Sequence, residues 1–205
     1  MGFYERYIMP ALISCACSTK PIAKQRAKIV PSATGEVLEL GMGAGANIPF
    51  YNTEKVSKVF AVEPSENMRN RALAVAGQSS LPVEIMEGVG EHLPFADHSF
   101  DCVVCTYTLC TVADVAQTLK EAKRVLRPGG RFLFCEHGLA PDDGVAKWQK
   151  RIEPYWLPIG GGCHLTRKAV EAIGKAGFTV EKLDHMYLPK TPQVVGWTEW
   201  GEARA

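Results

Sequence analysis

Apolar and polar positions along this chain switch between two periods, and the switches mark its elements. Short apolar runs at 36–40, 58–63, 83–86, 101–106 and 131–136 predict strands, and two more follow at 179–184 and 194–202. The run at 101–106 holds Cys102, Val103, Val104 and Cys105 with no polar residue between them, the pattern of a strand covered on both faces. Between the runs the spacing changes to three and four. Val115, Leu119, Ala122 and Leu126 form one helical stripe, and Asp114 with Gln117 gives a capping-box pattern at its start. Arg127-Pro128-Gly129-Gly130 ends it, because proline disfavours helical geometry in the residue before it. Pro64-Ser65 predicts the start of a helix reaching about Ala76, and Thr166 predicts the cap of one ending near Gly177. Ahead of the first strand, 3–18 and 21–30 read as helical pieces punctuated by Pro10 and Pro21. Strand and helix alternate throughout, which predicts a parallel-sheet α/β domain with no internal repeat or second domain.

Length and charge narrow the function classes. A chain of 205 residues suits one domain with a substantial core. A net charge of +1 gives no global field for nucleic acid. The N-terminal stretch is locally basic, with Arg6, Lys20, Lys24, Arg26 and Lys28 against Glu5 alone. That leaves a weak membrane-surface contact open beside the plainer reading of a solvated face. The apolar run at 8–17 is too short to span a bilayer and contains Pro10. Seven cysteines without a secretory signal predict a reducing, cytoplasmic setting. Cys102 and Cys105 should point to opposite faces of their strand, a poor arrangement for a metal or redox pair. The cysteines are expected to be small buried hydrophobes, and no metal is expected.

The chemistry begins at the end of the first strand, where Gly41, Gly43 and Gly45 alternate. Glycines there let a ligand approach the backbone and permit positive φ. The pattern fits dinucleotide binding and equally fits a loop that holds S-adenosylmethionine. Three features favour the second. Glu39 would repel a pyrophosphate but suits a ligand carrying an ammonium group. Glu63, ending the second strand, can accept from both ribose hydroxyls. A single domain of this size also leaves little room for a separate substrate domain.

Leu38-Glu39-Leu40-Gly41-Met42-Gly43-Ala44-Gly45-Ala46-Asn47, then Val62-Glu63-Pro64, Ser99-Phe100-Asp101 and Val125-Leu126-Arg127-Pro128-Gly129-Gly130 resemble the ordered motifs of class I S-adenosylmethionine-dependent methyltransferases. Cys105-Thr106-Tyr107-Thr108-Leu109-Cys110-Thr111-Val112, Glu136-His137 and Gly162-Cys163-His164-Leu165-Thr166-Arg167 are similar to the small methyltransferase-like branch that includes alkyl-thiol methyltransferases. The resemblance implies a Rossmann-like α/β fold, with a seven-stranded mostly parallel sheet, helices on both faces and an N-terminal helical lid. It divides a single domain, 1–205, into a lid (1–30), a cofactor-binding core (31–137) and acceptor-side helices with C-terminal strands (138–205). The mammalian members begin with a hydrophobic membrane anchor; none is expected here, since the apolar run at 8–17 is too short to span a bilayer.

The implied cofactor is S-adenosyl-L-methionine, with S-adenosyl-L-homocysteine as product. Glu39, Gly41, Gly43, Gly45 and Asn47 would hold its methionine part, and Glu63 its ribose. Pro64 and Met68 would lie near the adenine, and the loop of Val89, Gly90 and Glu91 would meet the adenine edge. Cys105 and Thr106 would lie beside the methyl-bearing sulfur. His137 and His164 are the candidate general bases, each with the alternative of an ordinary hydrogen-bonded histidine. Tyr4, Tyr7, Ile8, Tyr155 and Trp156 are candidates for the acceptor pocket, with packing as their plainer role. The expected reaction is methyl transfer to a small, fairly apolar acceptor, a thiol above all. Transfer to a lipid amine or a quinone, and binding without catalysis, stay as alternatives. The expected partner is that small acceptor, with no nucleic acid and no obligate protein partner.

Overall fold

The computed structural model describes residues 19–205, so the helical piece expected over 3–18 lies outside the described residues. Helix α1 (Lys20–Ile29) comes first, with Pro21 in the opening turn, where the missing N–H costs nothing. It is followed by β1 (Gly35–Leu40), β2 (Val56–Val62), α2 (Glu66–Ala76), β3 (Val83–Met86) and β4 (Phe100–Thr106). Next come α3 (Val115–Val125), β5 (Leu126–His137), α4 (Asp143–Trp156), α5 (Ala169–Lys175), β6 (Thr179–Tyr187), the short α6 (Gln193–Gly196) and β7 (Trp197–Arg204). The strands form one sheet in the order β3-β2-β1-β4-β5-β7-β6. Every pairing is parallel except those of β7, which runs antiparallel to β5 and β6.

Two apolar layers cover the sheet. One packs Leu38, Leu40, Val103, Phe132 and Phe134 against Leu119 and Ala122 of α3 and Ile173 of α5. The other packs Val37, Val59, Ala61, Val104 and Leu133 against Ile29 of α1 and Ala72 of α2. Alternation along β4 sends Cys102 into one layer and Cys105 into the other, as the period of two requires. From β1 the chain first builds outward through β2 and β3, then returns to add β4 on the other side. That reversal opens a crevice at the carboxyl ends of β1 and β4, where ligands of open α/β sheets bind.

Side-chain caps explain two of the helix starts. Ser65 caps α2 by accepting the Met68 N–H at 3.4 Å, and Asp114 caps α3 by accepting the Gln117 N–H at 2.9 Å. The capping box at α3 is only half made: Glu91, not Gln117, accepts the Asp114 N–H. The expected cap at Thr166 does not form. Helix α5 starts later, from Lys168, and the Thr166 N–H is taken by Glu153 of α4. The stripe residue Leu126 is the first residue of β5, opposite Phe100, and the next pairing is Arg131 with Cys102. Residues 127–130 therefore bulge, held by Arg127 on Asp101 at 2.6 Å and on Glu36 at 2.8 Å. The start expected for β7 at Val194 falls instead in α6. Helix α4 has no counterpart in the sequence expectation: its inward face carries Val145, Ala146, Ile152 and Trp156, half-buried, around the fully buried amide of Gln149.

Candidate functional site

After β1 the backbone turns through Gly41, Gly43 and Gly45, all at positive φ. Their roles differ. A Cβ at Gly41 would sit 2.5 Å from Thr108 Oγ1, and one at Gly45 would sit 3.2 Å from Ala72 Cα, so both serve close packing. A Cβ at Gly43 would meet nothing within 4 Å. The space beside Gly43 is therefore where a ligand can approach the main chain. Glu63, just past β2, is buried and accepts the Gly43 N–H at 2.8 Å and the Ser65 N–H at 2.9 Å. A carboxylate has about four acceptor positions, so two stay available for a pair of hydroxyls. Arg69 steadies this turn by donating to the Glu63 and Pro64 carbonyls, and Met68 in the first turn of α2 is buried.

A buried polar cluster closes the crevice at the end of β1. Glu39 accepts from Asn47 Nδ2 at 2.9 Å and from the Tyr51 hydroxyl at 2.6 Å. Burial pushes its carboxyl up to about 7, against the pull of the Tyr51 hydrogen bond and the Arg26 charge. Arg26 enters from α1, donating to Asn47 Oδ1 at 2.8 Å and to Thr106 Oγ1, with its guanidinium 5.2 Å over the Tyr107 ring. Its Nε is buried and has no partner. Sequence reasoning missed Arg26 and Tyr51. Arg26 looked like one more charge on a basic segment, and only its burial against β4 sets it apart.

These features fit S-adenosylmethionine. The unpartnered Arg26 Nε suits a carboxylate, buried Glu39 suits an ammonium group, and the spare acceptor positions of Glu63 suit ribose hydroxyls. The adenine loop is more committed than the sequence suggested. Glu91 Oε1 holds the Asp114 N–H at 3.0 Å, and the Glu91 carbonyl takes Gln117 Nε2 at 3.3 Å. A Cβ at Gly90 would sit 2.7 Å from Thr118 Cγ2, a packing contact, while Val89 is exposed. Of the two residues ending β4, Thr106 faces Arg26 and Asn47, whereas Cys105 turns into the core with its Sγ 3.5 Å from Glu136 Oε1.

The two candidate histidines have different surroundings. His137 ends β5 half-buried, with Nδ1 3.4 Å from Cys163 Sγ and its ring edge-on to Tyr107 at 5.8 Å. Burial pulls its pKa down, but the Cys163 sulfur and Glu136 outweigh it and hold the ring above its ordinary value. His164 is bound through Nδ1 to Glu153 Oε1 at 2.9 Å, and Glu153 Oε2 takes the Thr166 N–H at 2.8 Å. Of the aromatic candidates, Trp156 is turned inward, close enough that a Cβ on Gly160 would lie 2.5 Å from its Nε1. Tyr155 stands 75% exposed, one residue away on the helix. Tyr4, Tyr7 and Ile8 lie outside the described residues.

Comparison with known proteins gives a concordant picture. The methyltransferase domain family matches residues 38–134. Thiol S-methyltransferase TMT1B of Rattus norvegicus is 39% identical over 169 residues, covering 78% of this chain and 68% of that protein. Its Homo sapiens counterpart is 34% identical over 209 residues, covering 94% of this chain and 84% of the relative. Among solved structures, a geranyl diphosphate methyltransferase in complex with S-adenosylmethionine shares the fold with a TM-score of 0.71. That match is at 16% identity and covers 89% of this chain and 83% of that one.

Proposed function

This chain belongs to the S-adenosylmethionine-dependent methyltransferases, and on that premise we propose that its acceptor is a small, fairly apolar thiol. The observation that carries this reading is the edge where β4 and β5 end. There His137 lies against Cys163 and edge-on to the Tyr107 ring. Bound S-adenosylmethionine supplies a sulfonium methyl that is already a strong electrophile. The protein's task is to hold an acceptor in line with that methyl and exclude water. A thiol needs only weak assistance toward its thiolate, which one imidazole provides. A protonated amine would call for an accessible carboxylate. The nearest, Glu136, is buried, with Oε1 engaged by the Thr108 N–H at 3.0 Å.

In this reading Glu39, Asn47, Arg26 and Thr106 orient the methionine end of the cofactor, while Gly43 and Glu63 orient the ribose. His137 and Trp156 belong to the acceptor side; His164 braces α4. Residues 1–205 act as one domain, with 1–30 as lid, 31–137 as cofactor core and 138–205 as acceptor side. Among the described residues no helix is long and apolar enough to cross a membrane. We keep the reducing, cytoplasmic setting expected from the sequence as part of this reading. The thiol similarity rests on the relatives named for that activity.

An acceptor panel that measures S-adenosylhomocysteine release tests the reading. Small alkyl and aryl thiols should give turnover. Strong methylation of lipid amines or quinones, with no release from any thiol, would overturn it and leave the cofactor assignment standing.

A further inference from the structure

Three side chains that the sequence keeps far apart meet at the carboxyl edge of the sheet. Cys110 Sγ, a ring nitrogen of His137 and Cys163 Sγ all lie within 4.8 Å of one another, with Cys163 Sγ 3.4 Å from His137 Nδ1. Each comes from a different segment, and the segments are cross-braced. The His164 N–H bonds the Cys110 carbonyl at 2.8 Å, Arg167 Nη1 bonds the Leu109 carbonyl, and the Leu139 N–H bonds the Arg167 carbonyl at 2.9 Å. The two sulfurs are buried and the imidazole is half-buried.

We propose that Cys110, His137 and Cys163 are the protein ligands of a zinc-type cation whose fourth position takes the acceptor sulfur. The second half of this proposal rests on the thiol reading. Two thiolates and an imidazole form a soft donor set of the kind that selects zinc, and three protein ligands leave an open position. A tetrahedral zinc ion with ordinary bond lengths places sulfur and nitrogen about 3.5 Å apart and two sulfurs about 3.8 Å apart. The observed spacing comes within about 1 Å of that arrangement without moving the backbone. The proposal departs from the expectation of no metal, since no two of the three ligands share a local spacing motif that the sequence would show.

The position suits an acceptor. Thr106, which bonds Arg26 at the methionine end, is opposite Cys135 in the sheet. His137 lies just beyond Cys135, and Cys110 lies in the turn after Thr106. A thiol R–SH entering the fourth position displaces water and releases its proton to solvent, because the cation stabilises the thiolate. The sulfur lone pair then forms the S–CH3 bond as the cofactor's S–CH3 bond breaks, with that electron pair staying on the departing sulfur. R–S–CH3 and S-adenosylhomocysteine result. A thioether is a weaker ligand than a thiolate, so product leaves readily. His137 is in this scheme a ligand, not a base.

The test uses the full-length reduced protein, with zinc and cobalt(II) as probes. Wild type should retain about one zinc per chain after removal of excess metal, and Cys110→Ser/Cys163→Ser less than about a tenth of that. Cobalt(II) in wild type should show thiolate-to-metal charge-transfer absorption that grows when a small alkyl thiol is added. No retained zinc in wild type, or equal retention in the double variant, overturns the site. Wild type alone decides the matter if the variant misfolds, because a cobalt protein with no thiolate band overturns it equally. A thiolate band that ignores added thiol overturns the acceptor role. So does zinc-free enzyme that methylates thiols at the loaded rate, and in that case the thiol reading survives. Zinc-loaded, cobalt-competent protein that turns over no thiol defeats the thiol reading instead.

Discussion

Gly43 and Glu63 are joined by one hydrogen bond, and each can be changed without touching the apolar layers. Gly43→Ala adds a methyl group that meets no protein atom but enters the space left for the ligand, at a φ of 56° that disfavours a side chain. Glu63→Ala removes two acceptors for ribose, each worth ~1.5–3 kcal/mol. Calorimetry should find S-adenosylmethionine affinity lowered at least about tenfold by either change, and unaltered binding by both would remove the assigned pocket. Glu39 carries a pH signature. Its folded pKa of about 7 lies above the ordinary 4.5, so folding favours its protonated form. The stability it contributes is full below the unfolded pKa and is lost as pH rises through the folded value, on the order of 3 kcal/mol. Around it stand Tyr51, Arg26, Asn47 and Glu63. Urea denaturation from about pH 5 to about pH 8 should show wild type losing stability relative to Glu39→Gln, which has no proton to lose. Parallel curves would mean that Glu39 stays in one protonation state across the range.

Among the elements, α4 decides how the acceptor side is held. Gln149, fully buried, accepts the Ala140 N–H at 2.8 Å and donates to the Gly138 carbonyl at 3.1 Å, clamping the loop that leaves β5 at His137. Gln149→Leu keeps the bulk and orphans both main-chain groups. It should cost about 2–4 kcal/mol in urea unfolding, since each buried unsatisfied group costs about 1–3; a loss within error of zero would show that the loop finds other partners. This helix also marks the limit of what the sequence shows. Strands β1 and β4 announce themselves as apolar runs because both faces of the central sheet are covered, and Ser65 and Asp114 cap the helices they precede. Helix α4 sets a buried amide, Gln149, in the middle of an inward face whose apolar residues Val145, Ile152 and Trp156 are only half-buried. The site divides along the same line. Glu39, the glycine turn and Glu63 are close in sequence and were legible. Arg26, Tyr51 and the Cys110–His137–Cys163 group are assembled only by the fold, from α1, the glycine-loop exit, the end of β5 and the two loops that hold Cys110 and Cys163.

For the molecule as a whole, the cofactor crevice lies between the two halves of the sheet, at the reversal between β1 and β4. A ligand bound there stabilises the domain by mass action, about 2.7 kcal/mol at a hundredfold excess over Kd. For a domain of this size that is a rise in Tm of roughly 5–10 °C. S-adenosylmethionine and S-adenosylhomocysteine should both produce it in a thermal melt, and NAD should not; a shift with NAD alone would return the glycine loop to the dinucleotide reading. The strand order has one more effect, on how the molecule comes into being. Strand β7 lies between β5 and β6 but is synthesised after both. Until residues 197–204 leave the ribosome, β5 presents an unpaired edge and β6 has no sheet to join. Closure therefore waits for a strand that is made after both of its neighbours. During that interval the open edge of β5 is a template for pairing with another chain, and the time between the synthesis of β5 and of β7 sets how long that exposure lasts.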